Sequence, residues 1–164
     1  MPFPSASGQG SLFPPIKVFS LMTLMNQSAN VAIPLVPTIV DPPIITRQIG
    51  NITYSAGVFT VGDAGLYIAT LKWNAQSGVV RNIMSELWTD TGSGMVIFPY
   101  STQVVSTNNA IDAQAVTVLN GYLPAGAKIR IRSWASAAVN AVTNVPALAS
   151  TPVPACFLNL MRVE

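Results

Sequence analysis

The side chains that most often carry chemistry are scarce in this chain, and their spacing does not suit them to it. Histidine is absent, which removes the commonest general base and the commonest metal ligand. The acids are Asp41, Asp63, Glu86, Asp90, Asp112 and Glu164, and only Glu86 and Asp90 lie near each other in sequence. Those two fall at the end of an apolar run and in the turn after it, so they read as structural. Paired-carboxylate hydrolysis needs two carboxyls flanking one bond, and no local motif supplies them. Cys156 has no histidine to activate it and sits among apolar residues, so it reads as a small buried hydrophobe. Serines are plentiful, but no Gly-x-Ser-x-Gly elbow occurs, and Gly92-Ser93-Gly94 reads as a turn. There is no phosphate loop and no dinucleotide fingerprint. Asp63, Asp90 and Asp112 offer oxygen ligands, but their spacing matches no calcium loop. The expectation is a protein that is not an enzyme, with no cofactor and no bound metal.

Binding is the other chemistry to consider. Trp73, Trp88 and Trp134 each fall in a strand-like run. Packing in a core or a subunit interface is the plain reading, and a sugar-stacking platform is the sharper one. Phe98-Pro99-Tyr100 ends such a run beside the polar residues 101–109. That makes an exposed ligand loop with Phe98, Tyr100, Asn108 and Asn109 as its candidate contacts, and residues 136–150 form a second candidate loop. Lys128, Arg130 and Arg132 are the densest basic group, which reads as the solvent face of a strand. The net charge is +2, so no nucleic-acid partner is expected.

These residues must be held by something, and composition limits what that is. The chain has 164 residues, half of them hydrophobic and only 9% charged, against about 25% charged in an ordinary soluble domain. The longest apolar stretches, 31–40 and 139–149, are cut by Pro34, Pro37 and Pro146, so no insertion of a helix into a membrane is expected. Nothing at the N-terminus reads as a signal peptide. So few charges on one domain imply large apolar patches, and those mark interfaces. The expectation is an oligomer.

Two regions follow. Residues 1–15 are rich in proline, glycine and serine and carry no charged side chain. They read as an irregular arm that docks on neighbours through Pro2, Phe3, Pro4, Leu12, Phe13, Pro14 and Pro15. Residues 16–164 read as one all-β domain, with short Val-, Ile-, Thr- and aromatic-rich runs punctuated by glycine and proline. Strands are expected at 16–25, 30–35, 44–47, 52–54, 57–61, 65–75, 80–89, 94–99, 111–122, 127–135 and 155–163. Alternation is clearest in three of them. Ile129 and Ile131 oppose Lys128, Arg130 and Arg132; Tyr67, Ala69, Leu71 and Trp73 oppose Leu66, Ile68 and Thr70. Cys156, Leu158 and Leu160 oppose Phe157, Met161 and Val163, so this last strand is apolar on both faces and should lie centrally, covered on both sides.

The order of these elements resembles the complement globular-head and tumour-necrosis-factor-like jelly rolls. The resemblance rests first on residues 51–67, where Tyr54 precedes Gly57-Val58-Phe59-Thr60 and a turn leads to Gly65-Leu66-Tyr67. It continues through Trp73-Asn74, the segment 116–129 with its Leu123-Pro124-Ala125-Gly126 turn, and the closing run 155–163. It spans about residues 44–164, with 16–43 supplying the first strands. It implies a jelly-roll sandwich of about ten antiparallel strands that forms tight trimers. Tyr54, Phe59, Tyr67, Trp73, Leu119, Ile129, Ile131, Phe157, Leu158 and Leu160 would form the fold and trimer core. No Gly-X-Y stalk precedes the domain, and no leader or membrane anchor is recognised, which disfavours the complement-like and cytokine branches.

The functional expectation is a trimeric virion component (minor capsid, decoration, cement or spike protein) attached to other capsid proteins through its arm. A head that binds a host receptor or glycan through apical loops is the alternative. A genome-enclosing shell protein is less favoured, because the arm has no charge to neutralise nucleic acid.

Overall fold

The computed structural model describes residues 20–28, 30–76, 79–107, 113–142 and 154–163. The expected arm, Asn108, Asn109, Asp112 and most of the 136–150 loop lie outside the described residues.

The strands in chain order are β1 (Ser20–Asn26), β2 (Asn30–Ala32), β3 (Thr38–Ile39), β4 (Ile44–Ile49), β5 (Ile52–Ser55), β6 (Val58–Val61) and β7 (Gly65–Gln76). They continue as β8 (Asn82–Asp90), β9 (Val96–Ile97), β10 (Gln103–Ser106), β11 (Ala113–Leu123), β12 (Lys128–Ala135), β13 (Asn140–Val142) and β14 (Cys156–Arg162). There is no helix among the described residues.

The strands form two antiparallel sheets packed face to face. The first has at its centre the ladder β4-β1-β14-β7-β11, and the second β5-β6-β12-β8-β10. β2 and β13 extend the first sheet, while β3 and β9 add short pieces to the second. The alternation expected of the three clearest strands is present. Tyr67, Ala69, Leu71 and Trp73 are buried on β7, Ile129 and Ile131 on β12, and Cys156, Leu158 and Leu160 on β14. These inward rows meet Met22, Leu24, Ile52, Phe59, Val61, Ile83 and Leu119 to form one core. Period-two patterning therefore decides which face of each sheet turns inward.

The β5–β6 hairpin shows how locally encoded this is. Ser55 pairs with Val58 across a two-residue turn. Ala56 and Gly57 both have positive φ, 47° and 76°, the turn whose twist matches the flanking strands. A Cβ at Gly57 would also come within 2.3 Å of Ile39 Cγ2, so both φ and space demand glycine there.

The structure differs from the sequence expectations in five places. β3, β10 and β13 fall in segments not expected to be strands. The stretch 101–109, expected as an exposed loop, contains β10, which pairs with β8 from Gln103–Ser85 to Ser106–Asn82. Ser101 in that stretch is buried, its hydroxyl donating to Leu87 O at 3.1 Å. The expected strand 94–99 shrinks to two residues. β14 lies centrally between β1 and β7, but the described residues leave its outward side chains Phe157 and Met161 only half-buried.

Candidate functional site

Among the described residues the acids are engaged in hydrogen bonds or ion pairs and the cysteine is packed away. The Cys156 thiol is free and buried, and burial pushes its pKa up to about 12, so it stays protonated and unreactive at neutral pH. It lines a cavity of about 160 Å³ together with Trp73 and Ser133; Trp73 Nε1 donates to Ser133 Oγ at 3.1 Å. Asp41 accepts the Tyr54 hydroxyl at 2.5 Å. Burial, first, and that carboxylate, second, push the phenol pKa up. Asp63 pairs with Arg162 at 3.5 Å. Asp90 Oδ1 accepts the backbone amides of Gly92 and Gly94 at 2.8 and 3.0 Å, which holds its carboxyl below the usual range. Among the described residues no group of three His, Cys, Asp or Glu could hold a metal ion.

The residues expected to form the fold and trimer core divide into two sets. Phe59, Tyr67, Trp73, Leu119, Ile129, Ile131, Leu158 and Leu160 are buried between the sheets, and Tyr54 packs against them with its ring 4.9 Å from that of Phe59. Phe157 instead points out of the first sheet. Strand register places it within a larger outward surface. Ile49, Leu21, Met161 and Ile68 form one rung across β4, β1, β14 and β7. Met25, Phe157, Lys72 and Val116 form another. Between them runs a polar rung of Arg47, Thr23, Asn159 and Thr70, where Thr23 Oγ1 donates to Asn159 Oδ1 at 3.0 Å. Val118 and Tyr122 on β11 continue the surface and are 53% and 68% exposed.

Of the candidate ligand-loop residues, Phe98 and Tyr100 are described. Phe98 packs partly into the core over Gly121, where a Cβ would come within 2.3 Å of its ring. Tyr100 is wholly exposed with φ at 58°, a conformation that costs a non-glycine residue of order 1 kcal/mol.

Strand register also assembles a group that sequence spacing could not reveal. On the outward face of the second sheet, Arg130 pairs across from Trp88 and Arg132 from Glu86. The two guanidinium carbons stand 5.2 and 5.1 Å from the centre of the Trp88 ring. Glu86 Oε1 accepts Trp88 Nε1 at 2.7 Å and meets Arg132 Nη1 at 3.3 Å. Trp88 is thus engaged by guanidinium groups, and Trp73 is buried, which argues against either as an open sugar platform.

Two sheets with these strand orders define a jelly roll of the tumour-necrosis-factor-like type. No family model and no curated protein matches the chain. Solved structures do. The Eiger tumour necrosis factor of S. frugiperda superposes with a TM-score of 0.53 at 15% identity, over 90% of this chain and 93% of that one. The PRD1 vertex protein P5 superposes with a TM-score of 0.50 at 14% identity, over 90% of this chain and 99% of that one. The globular domain of zebrafish complement 1qA gives a TM-score of 0.49 at 12% identity. At such identities the likeness establishes the fold.

Proposed function

We propose that this chain is a structural head protein of a virus particle, trimeric and attached to other capsid proteins through residues 1–15. The outward rung Ile49–Leu21–Met161–Ile68 carries this reading. It spans four strands without a charge and is left partly exposed by the described residues. Such a surface marks an interface, and residues of this kind on a sheet face suit a second copy of the same protein. The likeness to a protein named for a vertex supports the particle setting, and the scarcity of charge supports permanent association.

Sedimentation equilibrium of the full chain tests the first part. The wild type should sediment as a trimer, and Met161→Asp should yield a folded monomer with an unchanged far-UV spectrum. A monomeric wild type would overturn the reading. Deleting residues 1–15 should then leave the trimer intact and prevent its incorporation into particles.

The second reading is a head that binds a receptor or glycan through the 98–109 segment. The fully exposed, left-handed Tyr100 favours it. Tyr100→Ala should abolish attachment to host cells and leave assembly unchanged.

A further inference from the structure

We infer that the space between the two sheets beside Trp73 is a binding site for a small uncharged hydrocarbon, about the size of a benzene ring. The inference rests on no part of the virion reading and uses neither outward face.

The first observation is the size of the space and what holds it open. A cavity of about 160 Å³ is lined by Trp73 on β7, Cys156 on β14 and Ser133 on β12. Those three residues are buried, as is Val40 on its wall, whereas Ala32, Ile39 and Asp41 on its rim are exposed. A guest can therefore enter at that rim. A dry cavity of about 150 Å³ is enough to hold benzene. The lining is tied in place without a guest. Trp73 Nε1 donates to Ser133 Oγ at 3.1 Å, and Ser133 Oγ donates to Met84 O at 2.9 Å. Val40 N donates to Ile131 O at 2.9 Å. These bonds fix the floor and one wall, so the site is formed in advance.

The second observation is that the polar side chains around the cavity are already engaged within the chain. Thr38 Oγ1 donates to Val36 O at 2.9 Å, Asn26 Oδ1 accepts the amide of Ser28 at 2.9 Å, and Asp41 accepts the Tyr54 hydroxyl. The buried side-chain nitrogens left unpaired among the described residues are those of Arg81 and Arg130, and neither residue lines the cavity. An enclosed water needs about two to four polar partners, and a thiol is only a weak one. The floor therefore favours a guest that requires no hydrogen bond. Val31, Pro34, Val40 and Pro42 complete the lining with apolar surface. Left empty, that surface lacks the dispersion contacts a hydrocarbon would supply. The Asp41 carboxylate on the rim disfavours an anion.

Thermal melting of the full-length protein with benzene and with benzoate tests the assignment. Benzene should raise the melting temperature by mass action, and benzoate, the same ring with a charge, should not. In heteronuclear NMR spectra the indole N–H resonance of Trp73 should move on adding benzene. That of Trp88, on the outward face of the second sheet, should stay where it is. Cys156→Leu fills the floor, and Ala32→Trp, at an exposed position, closes the rim; each should abolish the benzene-induced rise. Val118→Ala, on the outward face of the first sheet, should leave it unchanged. Melting without ligand establishes that each variant is folded, and Ala32→Trp carries the test if Cys156→Leu is not. No rise with benzene, a rise that persists in the folded cavity variants, an equal rise with benzoate, or a benzene-induced shift at Trp88 rather than Trp73 would each overturn the proposal.

Discussion

On the first sheet, the rung Ile49–Leu21–Met161–Ile68 points outward; on the second, the corresponding outward rows carry Lys128, Arg130, Arg132, Glu86, Trp88 and Asp90. The inward faces of the two sheets are alike. Leu71, Leu158 and Met22 meet Ile129, Ile131 and Phe59 in a single aliphatic and aromatic core. Sandwich packing requires an apolar inner face from both sheets, so the inner faces carry little information beyond the fold. The outer faces are free of that requirement. One carries an uncharged apolar rung and the other a charged row, and that difference is where a function can be read.

The comparison can be broken most severely at β14, which both neighbours in the first sheet need. Deleting residues 155–164 removes the strand that joins β1, along Ser20–Asn26, to β7, along Tyr67–Trp73, and splits the first sheet. No soluble protein should be recovered on expression, and a folded product would sink the topology. A gentler version stays within this one strand. Leu158 is fully buried, whereas its neighbour Phe157 is half-exposed. Leu158→Ala should cost about 2–5 kcal/mol in a urea melt. Phe157→Ala should cost less in a monomeric background such as Met161→Asp, and more in the assembled protein. If the two substitutions cost the same in the monomer, the inside–outside distinction on β14 is wrong.

The second sheet predicts a smaller effect of a different kind. Glu86 is buried and satisfies both Trp88 Nε1 and Arg132. Glu86→Ala leaves the indole N–H without its partner and strips Arg132 of its carboxylate, leaving it Pro37 O and the Trp88 ring. The expected loss is about 1–3 kcal/mol, accompanied by a change in tryptophan fluorescence. A loss below that range would mean that water replaces the carboxylate.

The long strands were legible in the sequence because period-two alternation is local: Tyr67 to Trp73 declares its inner face with no reference to any other segment. The motifs at 51–67, 116–129 and 155–163 resembled the jelly-roll families for the same reason. Short strands were not legible. Thr38–Ile39 and Gln103–Ser106 exist because β12 and β8 offer them edges to pair with, and two to four residues carry no period of their own. The Arg130–Trp88–Arg132 stack was hidden for a related reason. Its members are distant in sequence, and only the register of β8 against β12 brings them together. Lys128, Arg130 and Arg132 were readable as an outward row, but the aromatic ring beneath two of them was not.

The smallest effect at neutral pH is expected at Cys156, and it sharpens the contrast between buried and outward positions. Burial raises its pKa from an ordinary value of 9.0 to about 12. Below pH 9 the thiol is protonated in both the folded and unfolded chain, so it contributes no pH dependence. Above pH 9 the unfolded chain loses the proton and the folded chain keeps it. Stability therefore falls as pH rises, by about 1.4 kcal/mol at pH 10, and the loss continues until the folded thiol ionises. Tyr54 and Tyr67, whose pKa values are also raised from 10.0, add to the decline as the pH approaches 10 and more strongly above it. Urea melts of wild type and Cys156→Ala between pH 8 and about pH 10 should show a steeper decline in the first than in the second, the two curves parting above pH 9. A wild-type profile as flat as the variant's would place the thiol in contact with solvent, and with it the inner face of the central strand.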